Sequence, residues 1–387
     1  MLSHLLSGVI LGLPLAVQAA TYTIAQNHSG ANFFDGWVFT EGIDASTVGN
    51  VLFQSQAAAL QQKLAYVADN GHAIIKVDNT TVGTGDTYGR ASIKINSTAS
   101  FGKGSLVIMD AYHLPYGCSV WPAYWSQGSP ADSWPQFGEI DIIENVNMAT
   151  VNQMALHTTQ GCTLASSTQV TGKIVSTDCF NQTNGNQGCI VQGASAASYG
   201  AGDASTVSAG GGVYALEWSS EGNGIRIWFF QRGSIPDDVA GANPNPSSWG
   251  TPTAAWPESS CNSSQFFGAQ TLILDITLCG NFAGAASTFQ ATCSGVCTDL
   301  IKTPTNYNNA YFDIAYLRVF SDGTAGSNSG PALTGTSSAA TSTATSSSGS
   351  SGSGGSGSSN GAISVLATLG LGGVAFIATI AGLALIY

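Results

Sequence analysis

Between residues 91 and 320 the chain repeats one motif of patterning: short β-branched and aromatic runs in which apolar and polar positions alternate, cut by Gly, Asn, Ser and Pro. Such runs occupy 91–97, 105–114, 153–159, 213–220, 225–233, 271–278 and 310–320. Period-two alternation places successive side chains on opposite faces of a strand, so each run predicts a strand. A helix is expected only over 55–67, "SQAAALQQKLAYV". No internal repeat recurs at a fixed period. Many short strands with long connections predict a β-sandwich rather than alternating βα units.

The two ends follow different rules. Residues 1–19 carry an apolar run, Val9 to Val17, that closes on small residues; the expectation is a signal peptide cut after Ala19. Its first residues lack Lys and Arg and offer only His4, and a short buried helix is the alternative. From Gly323 to Tyr387 no residue is charged. Residues 322–361 read as a Ser/Thr/Gly-rich linker, and 362–387 as an apolar tail with no basic residue behind it. That order predicts a glycosylphosphatidylinositol anchor signal, the tail being exchanged for lipid at Asn360 or within Ser350 to Gly354. A terminal transmembrane helix is the alternative. The globular unit is then 20–321.

All eight cysteines fall in that unit, which in a secreted chain implies up to four disulfides of undetermined pairing. Asn27, Asn79, Asn96, Asn181 and Asn262 each head an N-x-Ser/Thr sequon. The net charge of −12 excludes nucleic acid and anionic membranes as natural partners, and suits a neutral polysaccharide. A monomer is expected, touching a membrane only through its lipid. No phosphate-binding glycine loop or histidine cluster calls for a cofactor or metal.

The chemistry concentrates in "QFGEIDIIENVN", 136–147, where Glu139, Asp141 and Glu144 alternate with Ile140, Ile142 and Ile143. In a regular strand Glu139 and Asp141 share a face and Glu144 takes the other. A β-bulge between Asp141 and Glu144 would bring all three to one face, with Ile140 and one of Ile142 or Ile143 turned inward. Two neighbouring carboxyls, one ionised and one protonated, are the equipment of glycoside hydrolysis. Trp121, Trp125 and Trp134 crowd the preceding segment, read as a loop, where indoles could stack on sugar rings. Core packing is the competing use of each.

The stretch 115–147, "PYGCSVWPAYWSQGSPADSWPQFGEIDIIENVN", resembles glycoside hydrolase family 16 in its fungal laminarinase-type branch, with the E-x-D-x-x-E form at Glu139–Glu144. The resemblance continues through 154–162, 213–239, 272–284 and 311–320. It implies a β-jelly-roll of two antiparallel sheets with a substrate cleft on the concave face, and retaining hydrolysis of β-1,3-glucans and mixed β-1,3/1,4-glucans at a fungal-type cell wall. By the same resemblance Glu139 is the nucleophile, Glu144 the general acid/base and Asp141 the assisting carboxylate. His157, Trp218 and Arg226 join the three tryptophans as candidate substrate contacts. Relatives often carry C-G-D-W-A-G where this chain has Cys279-Gly280-Asn281-Phe282-Ala283-Gly284, which bears on subsite affinity and linkage preference. A glucan transglycosylase using the same intermediate and a non-catalytic glucan-binding protein are the competing functions.

Overall fold

A computed structural model describes residues 20–85, 87–199 and 211–324. The expected signal peptide, most of the linker, the apolar tail and the candidate anchor residues lie outside the described residues. Among the described residues no helix is long and apolar enough to cross a membrane.

Two antiparallel sheets of eight strands form the body, with a small third sheet beside them. The acidic sheet runs, in spatial order, Lys173–Ile174, Cys189–Gln192, Gln153–His157, Glu139–Glu144, Val120–Gly128, Gln270–Leu278, Lys94–Phe101 and Trp37–Phe39. The second sheet runs Ala254–Trp256, Ile225–Gln231, Gly212–Trp218, Ser105–His113, Tyr311–Ser321, Ala73–Lys76 and Ala65–Val67, with Thr23–Ser29 also paired to Tyr311–Ser321. This is the expected all-β jelly-roll architecture.

The main core lies between the sheets. Tyr124, Ile140, Met154, Leu156, Leu274 and Ile276 meet Val107, Met109, Tyr214, Leu216 and Leu317 there, all essentially inaccessible. Removing each such side chain from water contributes roughly 1.5–3 kcal/mol. The second sheet is covered on its outer face as well: Leu106, Ile108, Val213 and Ala215 pack on Trp228, Phe230 and Trp249. Two-sided burial explains why 105–109 reads as almost unbroken apolar sequence. The second face of the acidic sheet carries its acids, beside a small apolar cluster of Trp121, Val146, Phe282 and Ala283.

Four disulfides hold the loops at the ends of that sheet. Cys118–Cys293 and Cys279–Cys297 tie the 279–300 segment to the start of Val120–Gly128 and the end of Gln270–Leu278. Cys162–Cys261 and Cys179–Cys189 tie down the loops that follow His157.

Two expectations need correcting. The helix spans only Gln56–Gln61, because Lys63 takes a positive φ of 54° and Leu64 and Ala65 turn into the core, leading into the strand Ala65–Val67. The segment carrying Trp121 and Trp125 is a nine-residue strand, Val120–Gly128, not a loop. Pro122 disguises it; pairing with the acidic strand ends at Ala123 opposite Glu144, one residue short of the proline.

Candidate active site

The acidic strand is bulged where its carboxylates require it. Asp141 pairs with Ala155 and Glu144 with Gln153, so three steps on one strand match two on its neighbour. On the other side Trp125 faces Asp141 and Tyr124 faces Ile143, leaving Ile142 unpaired. The extra residue resets parity, and Glu139, Asp141 and Glu144 share the open face. Ile140, Ile142 and Ile143 all enter the core, where one of the last two was expected to stay out.

A bulge breaks ladder hydrogen bonds, and buried backbone groups need other partners. Asn152 supplies them. Its Nδ2 donates to the Ile142 carbonyl at 2.8 Å, and its Oδ1 accepts the Glu144 N–H at 3.1 Å. Asn152 is fully buried and held in turn by Ser198 Oγ, which accepts its backbone N–H at 2.9 Å.

Tryptophans take up the glutamates from either end. Trp134 Nε1 donates to Glu139 Oε2 at 2.7 Å, and Trp121 Nε1 donates to Glu144 Oε1 at 2.8 Å. Phe282 meets Trp121 edge to face, with ring centroids 5.3 Å apart. Trp125, opposite Asp141, donates to Asp275 Oδ1 at 2.7 Å and has Lys94 over its ring at 5.2 Å. His157 faces Glu139 across the strands; its Nε2 lies 3.3 Å from Asp141 Oδ2 and 4.0 Å from Glu139 Oε1. Asn186 Oδ1 lies 3.0 Å from His157 Nδ1, and Gly188, at φ 69°, leaves no room for a Cβ beside the imidazole.

These contacts set the electrostatics. Burial pushes the Glu139 carboxyl up and Asp141 adds to it, while His157 and the Trp134 N–H hold it back, at about 7. Burial and Asp141 push Glu144 further, to about 8, against the Trp121 N–H and His157. Burial alone would lower His157, but the hydrogen bond to Asp141 and the three carboxylates outweigh it and push the imidazole up to about 10. Ligand atoms of Glu139, Asp141 and His157 lie within 4.8 Å of one another, close enough to surround a cation. The imidazolium itself already supplies the positive charge at that point. A carboxyl that keeps its proton at neutral pH beside one closer to ionising can divide general-acid and nucleophilic work.

Trp121, Trp134 and His157 thus lie against the three acids and Trp125 beside them in the sheet, whereas Trp218 and Arg226 lie elsewhere. Trp218 is fully buried in the main core and donates to Ser263 Oγ at 2.8 Å. Arg226 belongs to the second sheet, where it ion-pairs with Glu217 and lies over Trp228 on the outer face. Asn152, Asn186, Lys94 and Asp275 were missed: single polar residues in runs of ordinary composition give no signal until the strands are paired.

A two-sheet sandwich with a carboxylate row and indoles on one open sheet face is the form of a carbohydrate-cleaving enzyme. The model of the XgeA-like, catalytic GH16 domain matches residues 37–320, and the chain belongs to glycoside hydrolase family 16. It is 38% identical over 307 residues to a probable glycosidase of Schizosaccharomyces pombe, covering 78% of this chain and 70% of the relative. It is 36% identical over 324 residues to a probable endo-1,3(4)-β-glucanase of Aspergillus fumigatus, covering 81% of this chain but 48%, about half, of that relative. Among solved structures, laminarinase 16A of Phanerochaete chrysosporium, with 6-O-glucosyl-laminaritriose in donor and acceptor sites, is similar at 38% identity and a TM-score of 0.72, over 78% of this chain and all of that one. An elongating family 16 β-1,3-glucosyltransferase is similar at 34% identity and a TM-score of 0.69, over the same shares.

Two outcomes follow from this geometry. Asn152→Ala orphans the Ile142 carbonyl and the Glu144 N–H, so denaturant unfolding should show a loss of about 2–4 kcal/mol. Both glutamates hold protons to higher pH folded than unfolded. Their contribution is therefore fully present near pH 4, the ordinary glutamate range, and is lost as pH rises towards 8. Stability measured from pH 5 to 8 should fall in the wild type, and fall less in Glu144→Gln.

Proposed function

We propose that the chain is a retaining endo-β-glucanase acting on β-1,3-glucans and mixed β-1,3/1,4-glucans. The observation that carries this reading is the bulge that sets Glu139 and Glu144 on one sheet face, flanking Asp141, with burial and Asp141 raising the proton affinity of both. Glu139 attacks the anomeric carbon while Glu144 protonates the departing glycosidic oxygen. Glu144, now ionised, draws a proton from water, which attacks the glycosyl–Glu139 ester and releases the sugar with its original configuration. Asp141, paired with His157, lies between them and steers their protonation. Trp134 and Trp121 orient the two glutamates through their N–H groups, and the exposed parts of the indole faces and of Trp125 are offered to sugar rings. The names of the fungal relatives and the glucan-bound laminarinase support the substrate class.

A second reading is transfer, with another glucan taking the place of water. The similarity to the elongating glucosyltransferase favours it. Against it stands the extra residue in the Glu139–Glu144 motif, since the wall cross-linking branch of the family usually has the shorter E-x-D-x-E form. We read the enzyme as acting outside the cell, as a monomer held at the plasma membrane or wall by a lipid that replaces residues 362–387, with the linker 322–361 as its tether.

The test is incubation of the secreted protein with laminarin, lichenan and a labelled oligosaccharide acceptor. Shorter sugars of retained configuration are expected, with Glu139→Gln slower by at least about a thousandfold, the scale of losing a covalent nucleophile. Longer labelled products would establish transfer. Normal hydrolysis by Glu139→Gln would remove the assignment.

A further inference from the structure

Of the five sequons, Asn96 occupies a singular place. Asn27 lies on the strand Thr23–Ser29 of the second sheet, Asn79 and Asn181 in loops, and Asn262 at the start of the short helix Ser263–Phe266. Asn96 lies within the strand Lys94–Phe101 of the acidic sheet. Its neighbours Ile93 and Ile95 point into the core, so Asn96 shares with Lys94 the face that carries the carboxylates. The pairing continues that line across the sheet: Asn96 is opposite Ile273, Ile273 opposite Trp125, and Trp125 opposite Asp141. At about 4.8 Å per strand, Asn96 stands about 10 Å from Trp125 and about 14 Å from Asp141. On the other side it pairs with Val38 of the edge strand, whose side chain is 55% exposed.

We propose that Asn96 carries an N-linked oligosaccharide that stands on the open face of the acidic sheet and limits the substrate path on that side, admitting short glucans more readily than long ones. The modification joins Nδ2 to the anomeric carbon of an oligosaccharide carried on a polyprenyl diphosphate. The C–O bond to the diphosphate breaks, the diphosphate leaves with the electron pair, and Nδ2 loses one proton. The proton that remains is enough for the bond Nδ2 makes to Thr40 Oγ1 at 2.9 Å. Half-buried Asn96 thus accommodates the sugar without losing a partner. The first ring has an apolar surface beside it in Val38, more than half exposed on the edge strand Trp37–Phe39. Four disulfides place the chain in a compartment where this chemistry occurs. A branched oligosaccharide rooted two strands from Trp125 crowds the row Asn96–Ile273–Trp125, along which a long glucan stacked on Trp125 would continue.

The inference rests on the glucanase reading, and the test separates the two. The full chain is secreted from a glycosylating fungal host as wild type, Asn96→Gln, Thr98→Ala and Thr98→Ser; the last keeps the sequon. Peptide mass before and after amidase deglycosylation reads occupancy directly, whatever the activity. Hydrolysis of long laminarin and of a short laminari-oligosaccharide is then compared. We expect Asn96 occupied in wild type and Thr98→Ser. Asn96→Gln and Thr98→Ala should each raise the long-to-short ratio of kcat/KM about fivefold, the scale of one stacked ring regained. An unmodified Asn96, or an occupied Asn96 whose removal leaves that ratio unchanged, overturns the proposal. Wild type inactive on both substrates overturns the glucanase reading instead.

Discussion

The site depends on one carboxamide. Asn152 bridges the carbonyl of Ile142 and the N–H of Glu144 across the point where the acidic strand gains a residue. Without a bulge, Glu144 would turn towards the core and an isoleucine towards solvent, and neither exchange is tolerable. An ionised carboxylate in the core lacks partners, and losing a buried isoleucine forfeits packing. With the bulge, three isoleucines anchor the strand from below while three acids line it above. Stability and chemistry are satisfied by the same irregularity.

What the bulge assembles is an electrostatic conflict held in balance. Three carboxylates share a half-buried row, and repulsion and desolvation both drive protons onto the glutamates. Against this stand two indole N–H groups and one imidazolium beside Asp141, itself positioned by Asn186 and the close backbone of Gly188. The disulfides Cys179–Cys189 and Cys279–Cys297 hold the loops that bring Asn186 and Phe282 to opposite ends of the row. Sheet and loops therefore both contribute the groups that set the proton affinities of the two glutamates.

Much of this is legible in the sequence. Every run with period-two alternation is a strand, and the parity mismatch at Glu144 points to a bulge if the three acids are to share one face. The limits of such reading are physical. Alternation tells which residues share a face, but not which sheet a strand joins or whether its second face is covered. Trp218 looked like a cleft residue and is core, because the second sheet turns that face inward. Arg226 lies on the opposite face, committed to Glu217. Trp121 and Trp125 read as loop residues because Pro122 masks a strand that pairs with Gln270–Leu278 along its length but with the acidic strand only from Ala123. Asn152, a lone asparagine eight residues beyond Glu144, gives no signal in the sequence: its role exists only once the neighbouring strand is in register.

The central claim is that Glu139, not Asp141 or Glu144, bonds to the sugar. The most direct measurement is trapping with a 2-deoxy-2-fluoro laminari-oligosaccharide bearing an activated leaving group, followed by peptide mass mapping. The account predicts one label per chain, on Glu139. A label on Asp141 or Glu144 would contradict it, as would an active enzyme that hydrolyses the reagent with inversion and never retains it.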